Sequence, residues 1–598
     1  MKAVRGTEDR PLLRLLVDVV NGRQHADAIV EGGQLVNVFT GETYRADVAI
    51  KGHRIAMVGD VEHTKGDDTV TIDARDRFLV PGMIDPHVHV HESQLNIVEF
   101  AAVAVPHGTA GLAADFYGEM VVGGTGAVRE CLANSESTPL KIWFLGGVPG
   151  YTQNLPFGHS GWPTTQEMLD LVSWPECYGT SDTFGSRIAR LDDYLLPVVD
   201  RTQDLGKKVT GHGANYDAST VASWAAYIRD TDDHECTTVD EAISKARLGL
   251  RILIREGAGC PNLEELVKAI TERRVDPRRF CFTTDVPSAV RLYEDGHIDH
   301  LVRKAIGLGV EPVTAIQMAT INTAETLQIH QDHGSIAPGK WADIALVDSL
   351  TDFRVSTMVA DGKVVAENGR LLKAAAPAKF SPSAFGTVKV REISPSDFAV
   401  EVVPDTEGGA LVRVIEVLGT SLISEEAHVR IVARDGKVRS DVDADVLKIA
   451  AIERVRGTGE HAVGLTRGFG LRRGALATTF NSQAENMILV GVTDEELALA
   501  ANALRACGGG FVVVNGEEVV ELLELPLFGL QSELPYEEVA KRLRRVQEAA
   551  TALGCGFPDP FATLAFAGWP VEGGNLKISP EGIIDVWAEA VVPLQVSA

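Results

Sequence analysis

The sequence has few cysteines, and none of them forms a close pair with another. Their number is odd, and no two are spaced as CxxC. The seven are Cys131, Cys177, Cys236, Cys260, Cys281, Cys507 and Cys555. This usage predicts neither a disulfide framework nor a thiolate zinc site, and it favours a reducing compartment, which we expect to be the cytoplasm.

Basic side chains and long apolar runs are also scarce. The chain carries 83 acidic against 56 basic residues, a formal charge of −27, which opposes attraction to nucleic acid or anionic membranes. No window offers the ~18 uninterrupted apolar residues of a membrane span. Acidic residues interrupt residues 1–20, where a signal peptide needs an apolar core. We therefore predict no nucleic-acid partner and no membrane association.

The pattern of apolar residues divides the 598-residue chain into several units. Residues 1–82 predict a short helix and then the first strands of a β-unit. In residues 83–333 short apolar runs alternate with helical stretches, which indicates βα units around a parallel sheet. Strand patterning returns in residues 334–375, so we expect one β-domain made of two segments. An α+β domain is predicted for residues 386–598, after a stretch rich in Ala, Pro and Ser.

The strongest local signal is a pair of histidines at the end of an apolar strand. In FLVPGMIDPHVHVHES, the alternation along a strand places His87 and His89 on the same face. Two imidazoles on one rigid support can approach the same metal ion. Active sites of (β/α)8 barrels assemble where strands end at their carboxyl side. We therefore predict His87 and His89 as metal ligands.

Three further candidates follow later predicted strands. They are His212, His234 and Asp285. Each alone has a simpler explanation, since His234 lies among acids as a surface residue would and Asp285 could cap a helix. Ligands drawn from separate barrel strands are nevertheless expected to be tens of residues apart. Together with the histidine pair, these residues favour one shared site.

At this point the chain resembles the amidohydrolase superfamily and, within it, the adenine deaminases. The resemblance extends over almost the whole chain and includes IREGAGC, GSIAPGKWADIALV, RGFGLRRGALATT and FPDPFATLAF. The last two strings discriminate best, because they lie in the extra carboxyl-terminal domain. The resemblance implies a (β/α)8 barrel with a composite β-sandwich and a binuclear divalent metal site. It also implies hydrolytic removal of ammonia from adenine.

The family's site can be carried over residue by residue. The resemblance assigns metal ligands to strands one, four, five, six and eight, which are His87, His89, Asp182, His212, His234 and Asp285. Asp182 takes the place of a glutamate that links the two metals in the family. Because its side chain is shorter by one methylene, three outcomes are open: it bridges the metals, binds only one of them, or binds neither. Glu176, Glu119 and His91 are alternatives for the linking role. Asp285 is expected to orient a metal-activated water and carry its proton to the leaving nitrogen. Histidine and carboxylate ligands suit Mn, Fe and Zn alike, so one or two such ions are expected.

Several motifs around these ligands depart from the family pattern. The altered positions are His91, Glu92 and Ser93; Phe116, Tyr117, Gly118 and Glu119; Tyr178, Gly179, Thr180, Ser181 and Asp182; Val286; and Asn481, Ser482, Gln483, Ala484, Glu485 and Asn486. Residues around metal ligands tune the metal and set specificity. One alternative to adenine is therefore a cyclic amide or another heterocyclic amine. Another is a catalytically silent scaffold. A homodimer is the expected assembly.

Overall fold

The amino-terminal segment forms one helix and seven short strands. The computed structural model describes residues 10–147, 163–259, 261–406, 408–419, 423–433, 436–570 and 575–596. Helix α1 (Arg10–Val20) buries Leu16 and Val19 against the first sheet. The strands are β1 (Ala28–Glu31), β2 (Gln34–Asn37), β3 (Glu42–Arg45), β4 (Asp47–Lys51), β5 (Arg54–Gly59), β6 (Val70–Asp73) and β7 (Phe78–Pro81).

Eight parallel strands then close into a barrel, as predicted. They are β8 (Met83–His89), β9 (Thr109–Asp115), β10 (Lys141–Gly147), β11 (Cys177–Phe184), β12 (Lys208–His212), β13 (Asp232–Asp233), β14 (Arg251–Arg255) and β15 (Phe280–Thr283). Strands β8 to β12 form one sheet and β13 to β15 another. Asp285 closes the ring, because its amide donates to the His87 carbonyl (3.1 Å) and its carbonyl accepts from the His89 amide (2.9 Å). The carboxyl ends of the strands therefore meet at one mouth.

Helices cover the outside of the barrel. They are α2 (Ile97–Ala104), α3 (Tyr117–Ser135), α4 (Thr165–Val172), α5 (Gly185–Ala189), α6 (Leu195–Asp204), α7 (Ala218–Ile228), α8 (Val239–Arg247), α9 (Leu263–Leu266), α10 (Lys268–Thr271), α11 (Ala289–Glu294), α12 (Ile298–Gly307), α13 (Pro312–Ala319) and α14 (Ile321–Thr326). Polar caps define several of their starts: Thr164, Asp217 and Thr238 accept backbone hydrogen bonds at the starts of α4, α7 and α8. The apolar faces of these helices join the main hydrophobic core around the strands.

The chain next completes the sheet that it began before the barrel. Four strands follow: β16 (Ile344–Val347), β17 (Val355–Ala360), β18 (Lys363–Glu367) and β19 (Arg370–Leu371). They extend a seven-stranded sheet in the order β19-β18-β17-β16-β7-β2-β3, in which β16 and β7 are antiparallel. A buried ion pair ties this sheet to the barrel, because Lys141 Nζ lies 2.7 Å from Asp343 and 2.9 Å from Asp361. One β-domain is thus built from two separate segments.

The carboxyl-terminal part is an α+β unit that packs on the barrel. Its strands are β20 (Val400–Glu401), β21 (Gly409–Val417), β22 (Ser424–Val432), β23 (Lys437–Val438), β24 (Val446–Ile452), β25 (His461–Arg467), β26 (Ala475–Thr478), β27 (Met487–Gly491), β28 (Gly510–Asn515), β29 (Glu518–Glu524), β30 (Leu576–Ser579), β31 (Gly582–Asp585) and β32 (Ala590–Val592). Its helices are α15 (Asp494–Cys507), α16 (Tyr536–Ala552) and α17 (Pro560–Ala567). An eight-stranded sheet carries α15 on one face. Apolar residues on its other face, including Ile488 and Val490, join the barrel's core.

Two features of the described chain bear on the sequence-based expectations. None of the helices in the described ranges combines the length and apolarity needed to cross a bilayer. The six cysteines within these ranges are unpaired thiols. Cys260 lies outside the described residues.

Candidate metal centre

The two histidines of β8 face the same point at the barrel mouth. Their Nε2 atoms are 3.2 Å apart, and both rings are buried. On its other side His89 directs Nδ1 at Asp115 Oδ1 (2.9 Å), and Asp115 in turn accepts a hydrogen bond from the Ser181 hydroxyl (2.5 Å). A carboxylate behind a ligating imidazole fixes the ring's tautomer and orientation. Asp115 therefore supports the ring from the end of β9.

Two aspartates approach the same histidines from other strands. Asp285 Oδ1 lies 3.4 Å from His87 Nε2 and 3.3 Å from His89 Nε2. Asp182 places Oδ1 3.3 Å from His87 Nε2 and Oδ2 3.6 Å from His89 Nε2. Both aspartates have a positive φ, 46° at Asp182 and 56° at Asp285. This conformation is uncommon outside glycine, and strained backbone of this kind concentrates at functional sites.

The remaining two predicted histidines form a second pair beside the first. His212 Nδ1 and His234 Nε2 are 3.3 Å apart. Asp182 Oδ1 is 3.9 Å from the former and 3.7 Å from the latter. The same oxygen atom therefore lies within 4 Å of nitrogens from both histidine pairs. The structure thus brings all six sequence-predicted residues into one cluster, with Asp182 in the middle.

Besides Asp115, sequence reasoning missed two further charged residues in this cluster. Glu235 Oε1 lies 3.4 Å from His234 Nε2 and 3.8 Å from His212 Nδ1. Arg255 donates two hydrogen bonds to Glu235 (2.5 and 3.0 Å) and one to Asp285 Oδ2 (2.7 Å). Two signals could have indicated them, since Glu235 directly follows a predicted ligand and Arg255 lies within the IREGAGC string.

The charges around Asp285 and His89 favour their ionised forms in spite of burial. For Asp285, burial opposes ionisation, but Arg255 and the neighbouring histidines hold its pKa well below the ordinary value. For His89, burial opposes protonation, but the carboxylates of Asp115 and Asp182 raise its pKa well above the ordinary value. Positive charge is therefore favoured at His89, beside the carboxylates, and negative charge at Asp285, beside Arg255.

The donor set fits divalent transition-metal ions. Nitrogen and oxygen ligands that share one tetrahedral ion at ~2.0–2.2 Å are separated by roughly 3.3–3.6 Å. The separations among His87, His89 and Asp285 match that value, and His212, His234 and Glu235 form a second group of similar spacing. Asp182 Oδ1 is buried and has no hydrogen-bond partner among the described residues. A buried unpaired carboxylate oxygen is costly, and a cation would satisfy it.

The carboxyl-terminal domain forms the opposite wall of the pocket. Ser482, Phe566 and Trp569 line the cavity that contains the histidine and carboxylate cluster. The rings of Phe566 and Trp569 are 6.1 Å apart and inclined by 30°. They pack with Phe184 and Val286 of the barrel in a small apolar group. The site is therefore charged on the barrel side and largely aromatic on the other.

The three residues considered as alternatives to Asp182 lie outside its position in the cluster. The His91 ring lies between Glu119 Oε2 (3.5 Å from Nδ1) and Glu485 Oε1 (3.7 Å from Nε2). Glu176 immediately precedes β11, at the end of the strand opposite the barrel mouth. None of these three alternatives takes the position between the histidine pairs.

Another buried carboxyl group, that of Glu92, connects the altered motif at Tyr117 to Ser482 in the pocket wall. Tyr117 and Ser482 each donate a hydroxyl hydrogen bond of 2.7 Å to Glu92 Oε1. Burial raises the pKa of Glu92 to about 7, and it raises the pKa of Glu119 to about 8. Residues 481–486, the last of the altered motifs, therefore contribute directly to the surroundings of the pocket.

The barrel, the composite β-domain and the histidine–aspartate cluster define an amidohydrolase. The "Amidohydrolase family" model matches residues 78–365, and the "Adenine deaminase C-terminal domain" model matches residues 421–590. Among solved structures, a β-aspartyl dipeptidase from Fervidobacterium islandicum-AW-1 aligns with a TM-score of 0.43 at 16% identity, covering 58% of this chain and 98% of that one.

Curated relatives extend the match to nearly the whole chain. "Adenine deaminase" from Clostridium botulinum (strain 657 / Type Ba4) is 35% identical over 592 residues, 96% of either chain. "Adenine deaminase" from Moorella thermoacetica is 35% identical over 596 residues, 98% of this chain and 99% of the relative. "Adenine deaminase 3" from Rhizobium meliloti is 36% identical over 581 residues, 96% of either chain. The protein belongs to the adenine deaminase family.

Metal content is the most direct test of the cluster. Protein purified without chelators is expected to hold about one to two divalent ions per chain, measured by elemental analysis. His87→Ala should lower this content while the circular dichroism spectrum stays unchanged, since the barrel is stabilised by its packed interior. His107→Ala is the matched control, because His107 also pairs with a carboxylate (Asp299, 3.0 Å) but lies outside the cluster. Equal metal content in both variants would contradict the assignment.

Proposed function

We propose that this protein hydrolyses adenine, replacing the exocyclic amino group with oxygen and releasing ammonia. The observation that carries this proposal is the composition of the pocket. Metal-binding side chains from the barrel face an aromatic wall from the carboxyl-terminal domain, in a chain that aligns end to end with curated adenine deaminases. Both halves of the pocket thus come from regions that the relatives share.

The aromatic wall suits a flat heterocycle. Phe566 and Trp569 are nearly fully buried and line the cavity. Aromatic side chains stack on bases at a gain of about 1–3 kcal/mol per base. A purine held against this wall would place one edge toward the histidine cluster. The pocket therefore supports a planar ring better than a flexible peptide.

The residues of the cluster have different roles in such a hydrolysis. His87, His89, His212 and His234 would hold the divalent ions together with Asp182. When bound there, the ions would supply a Lewis acid and lower the pKa of a water molecule toward neutrality. Asp285, kept ionised by Arg255, is placed to accept a proton from the attacking water. It then returns that proton to the departing amino nitrogen, so that one water is consumed and one ammonia is released.

The metal is proposed to be manganese, iron or zinc. Four imidazoles and at least two carboxylates are ligands that all three ions accept. Reconstitution of the metal-depleted protein with each ion in turn, followed by measurement of turnover, distinguishes them.

An ammonia-release screen tests the proposed substrate. The metal-loaded protein is incubated with adenine, other aminopurines, pterins, pyrimidines and cyclic amides, and ammonia and ring products are measured. We expect adenine to give the highest kcat/KM. Ring opening of a cyclic amide without ammonia would instead support the alternative hydrolase. Stoichiometric metal with no turnover on any compound would contradict both, and absence of metal after reconstitution would support a silent scaffold.

A further inference from the structure

A loop of the carboxyl-terminal domain reaches the metal cluster. Residues 479–486 connect β26 to β27, and residues 481–486 are buried. Within the loop, the amides of Ala484 and Glu485 donate to the Asn481 carbonyl (2.9 and 2.7 Å). The Asn481 side chain donates to the Ala565 carbonyl (2.7 Å). The loop is therefore held by its own backbone bonds and by helix α17.

Gln483, near the middle of this loop, contacts the central carboxylate of the cluster. Its Nε2 donates a hydrogen bond of 2.8 Å to Asp182 Oδ2. Gln483 is 1% exposed and has a φ of 58°, so it occupies a conformation that few residues other than glycine adopt readily. Its donor thus reaches Asp182 from a fixed and buried position.

This hydrogen bond separates the roles of the two Asp182 oxygens. Oδ2 accepts from Gln483, whereas Oδ1 has no hydrogen-bond partner among the described residues. Oδ1 is also the atom that lies within 4 Å of His87, His212 and His234. Oδ2 also lies 3.6 Å from His89 Nε2, whereas Oδ1 is the oxygen that lies between the two histidine pairs. The amide from the other domain engages the second oxygen, Oδ2, and leaves Oδ1 facing the histidines.

The chemical type of the donor supports the same interpretation. A lysine or arginine at this position would also donate to Asp182, but its positive charge would repel divalent ions nearby. The glutamine amide is neutral, so it orients the carboxylate without that repulsion. A contact that served only to pack the two domains together would not need to involve a proposed metal ligand such as Asp182.

We propose that Gln483 is a positioning residue that completes the two-ion site from the carboxyl-terminal domain, by holding Asp182 Oδ1 toward both histidine pairs. Occupancy of the two ions is then coupled to the docking of this domain on the barrel. The inference rests on the metal-binding part of the proposed function, and it does not depend on adenine being the substrate.

Gln483→Met tests the proposal, because methionine has a similar length but no amide donor. Gln531→Met is the matched control: Gln531 is equally buried and donates across the same domain boundary to Glu119 (2.7 Å), away from the cluster. Metal affinity is measured by equilibrium dialysis with Mn²⁺ alone. Losing a partner behind a ligand typically costs about 10–100-fold in metal affinity. We expect that loss for one of two ions in Gln483→Met and none in Gln531→Met.

Electron paramagnetic resonance of the manganese-loaded proteins gives a second readout. Two ions held side by side in this cluster should show magnetic coupling, which Gln483→Met should weaken and Gln531→Met should retain. If Gln483→Met does not fold, Gln483→Asn is used, because its amide is one methylene too short to reach Asp182. Unchanged affinity and coupling in a folded Gln483 variant, or equal losses in the Gln531 control, would overturn the proposal. If the wild-type protein binds two ions normally but does not deaminate adenine, the result counts against the proposed function and not against the role of Gln483.

Discussion

Asp285→Asn is expected to lower the turnover of adenine by about 10²–10⁴-fold, the usual contribution of a general acid–base group. Asparagine keeps the shape of the side chain but cannot accept a proton at neutral pH. In the wild-type protein Arg255 and the histidines keep Asp285 ionised, so its carboxylate is ready to accept one. The loss should therefore fall mainly on kcat.

Steady-state kinetics and metal analysis on the same preparation check this prediction. Asp299→Asn is the control, because Asp299 is also a buried barrel carboxylate paired with a histidine, His107. It should retain turnover close to that of the wild type. Full activity in Asp285→Asn would exclude the proton-transfer role. If the variant loses metal in proportion to activity, Asp285 acts mainly as a ligand, which its 3.3 and 3.4 Å separations from the two histidines would explain.

The parts of the molecule that could be predicted from sequence are those with local signals. The alternation of apolar runs with helical stretches indicated βα units around a parallel sheet, because each βα unit lies in one continuous segment of the chain. The family resemblance implied that these units close into a barrel. His87 and His89 were also visible, since their alternation on one strand places both rings on the same face. His212, His234 and Asp285 became convincing only as a set that follows separate strands.

Interactions formed in the tertiary structure could not be predicted in this way. Arg255 contacts Glu235 and Asp285 across 20 and 30 residues of sequence, and no periodic pattern marks such a contact. Gln483 reaches Asp182 across 301 residues and from another domain. A neutral glutamine in a loop carries no signal of metal chemistry. Its role follows only from the carboxylate that it meets.

Sequence patterns likewise could not predict that the carboxyl-terminal domain closes the pocket. Phe566 lies on an apolar helix and Trp569 directly after it, and both have the composition of ordinary core residues. Only the docking of this helix over the barrel mouth turns them toward the histidine cluster. The string FPDPFATLAF, which helped to indicate the family, therefore lies close to the site because it ends at Phe566 in the pocket wall.

Asp182→Ala should remove one of the two ions selectively and reduce turnover by more than about 100-fold, since even partners behind a ligand are worth about 10–100-fold in affinity or activity. The remaining ion would still be held by a histidine pair. Asp182→Glu should retain both ions, because a longer carboxylate still reaches between the pairs. The extra methylene in this buried position should cost about 1–3 kcal/mol of stability.

Comparison of these two variants separates the effect of the carboxylate charge at position 182 from the effect of the side-chain length. Elemental analysis and thermal unfolding of Asp182→Ala, Asp182→Glu and the wild-type protein measure both effects. Asp192→Ala is a suitable control, because Asp192 also pairs with a buried barrel side chain, Arg187 (2.8 Å), but does not face the histidines. Two ions bound with normal affinity by Asp182→Ala would show that Asp182 is not shared between them. Glu235, which already lies 3.4 Å from His234 Nε2, would then be the acid that holds the second ion.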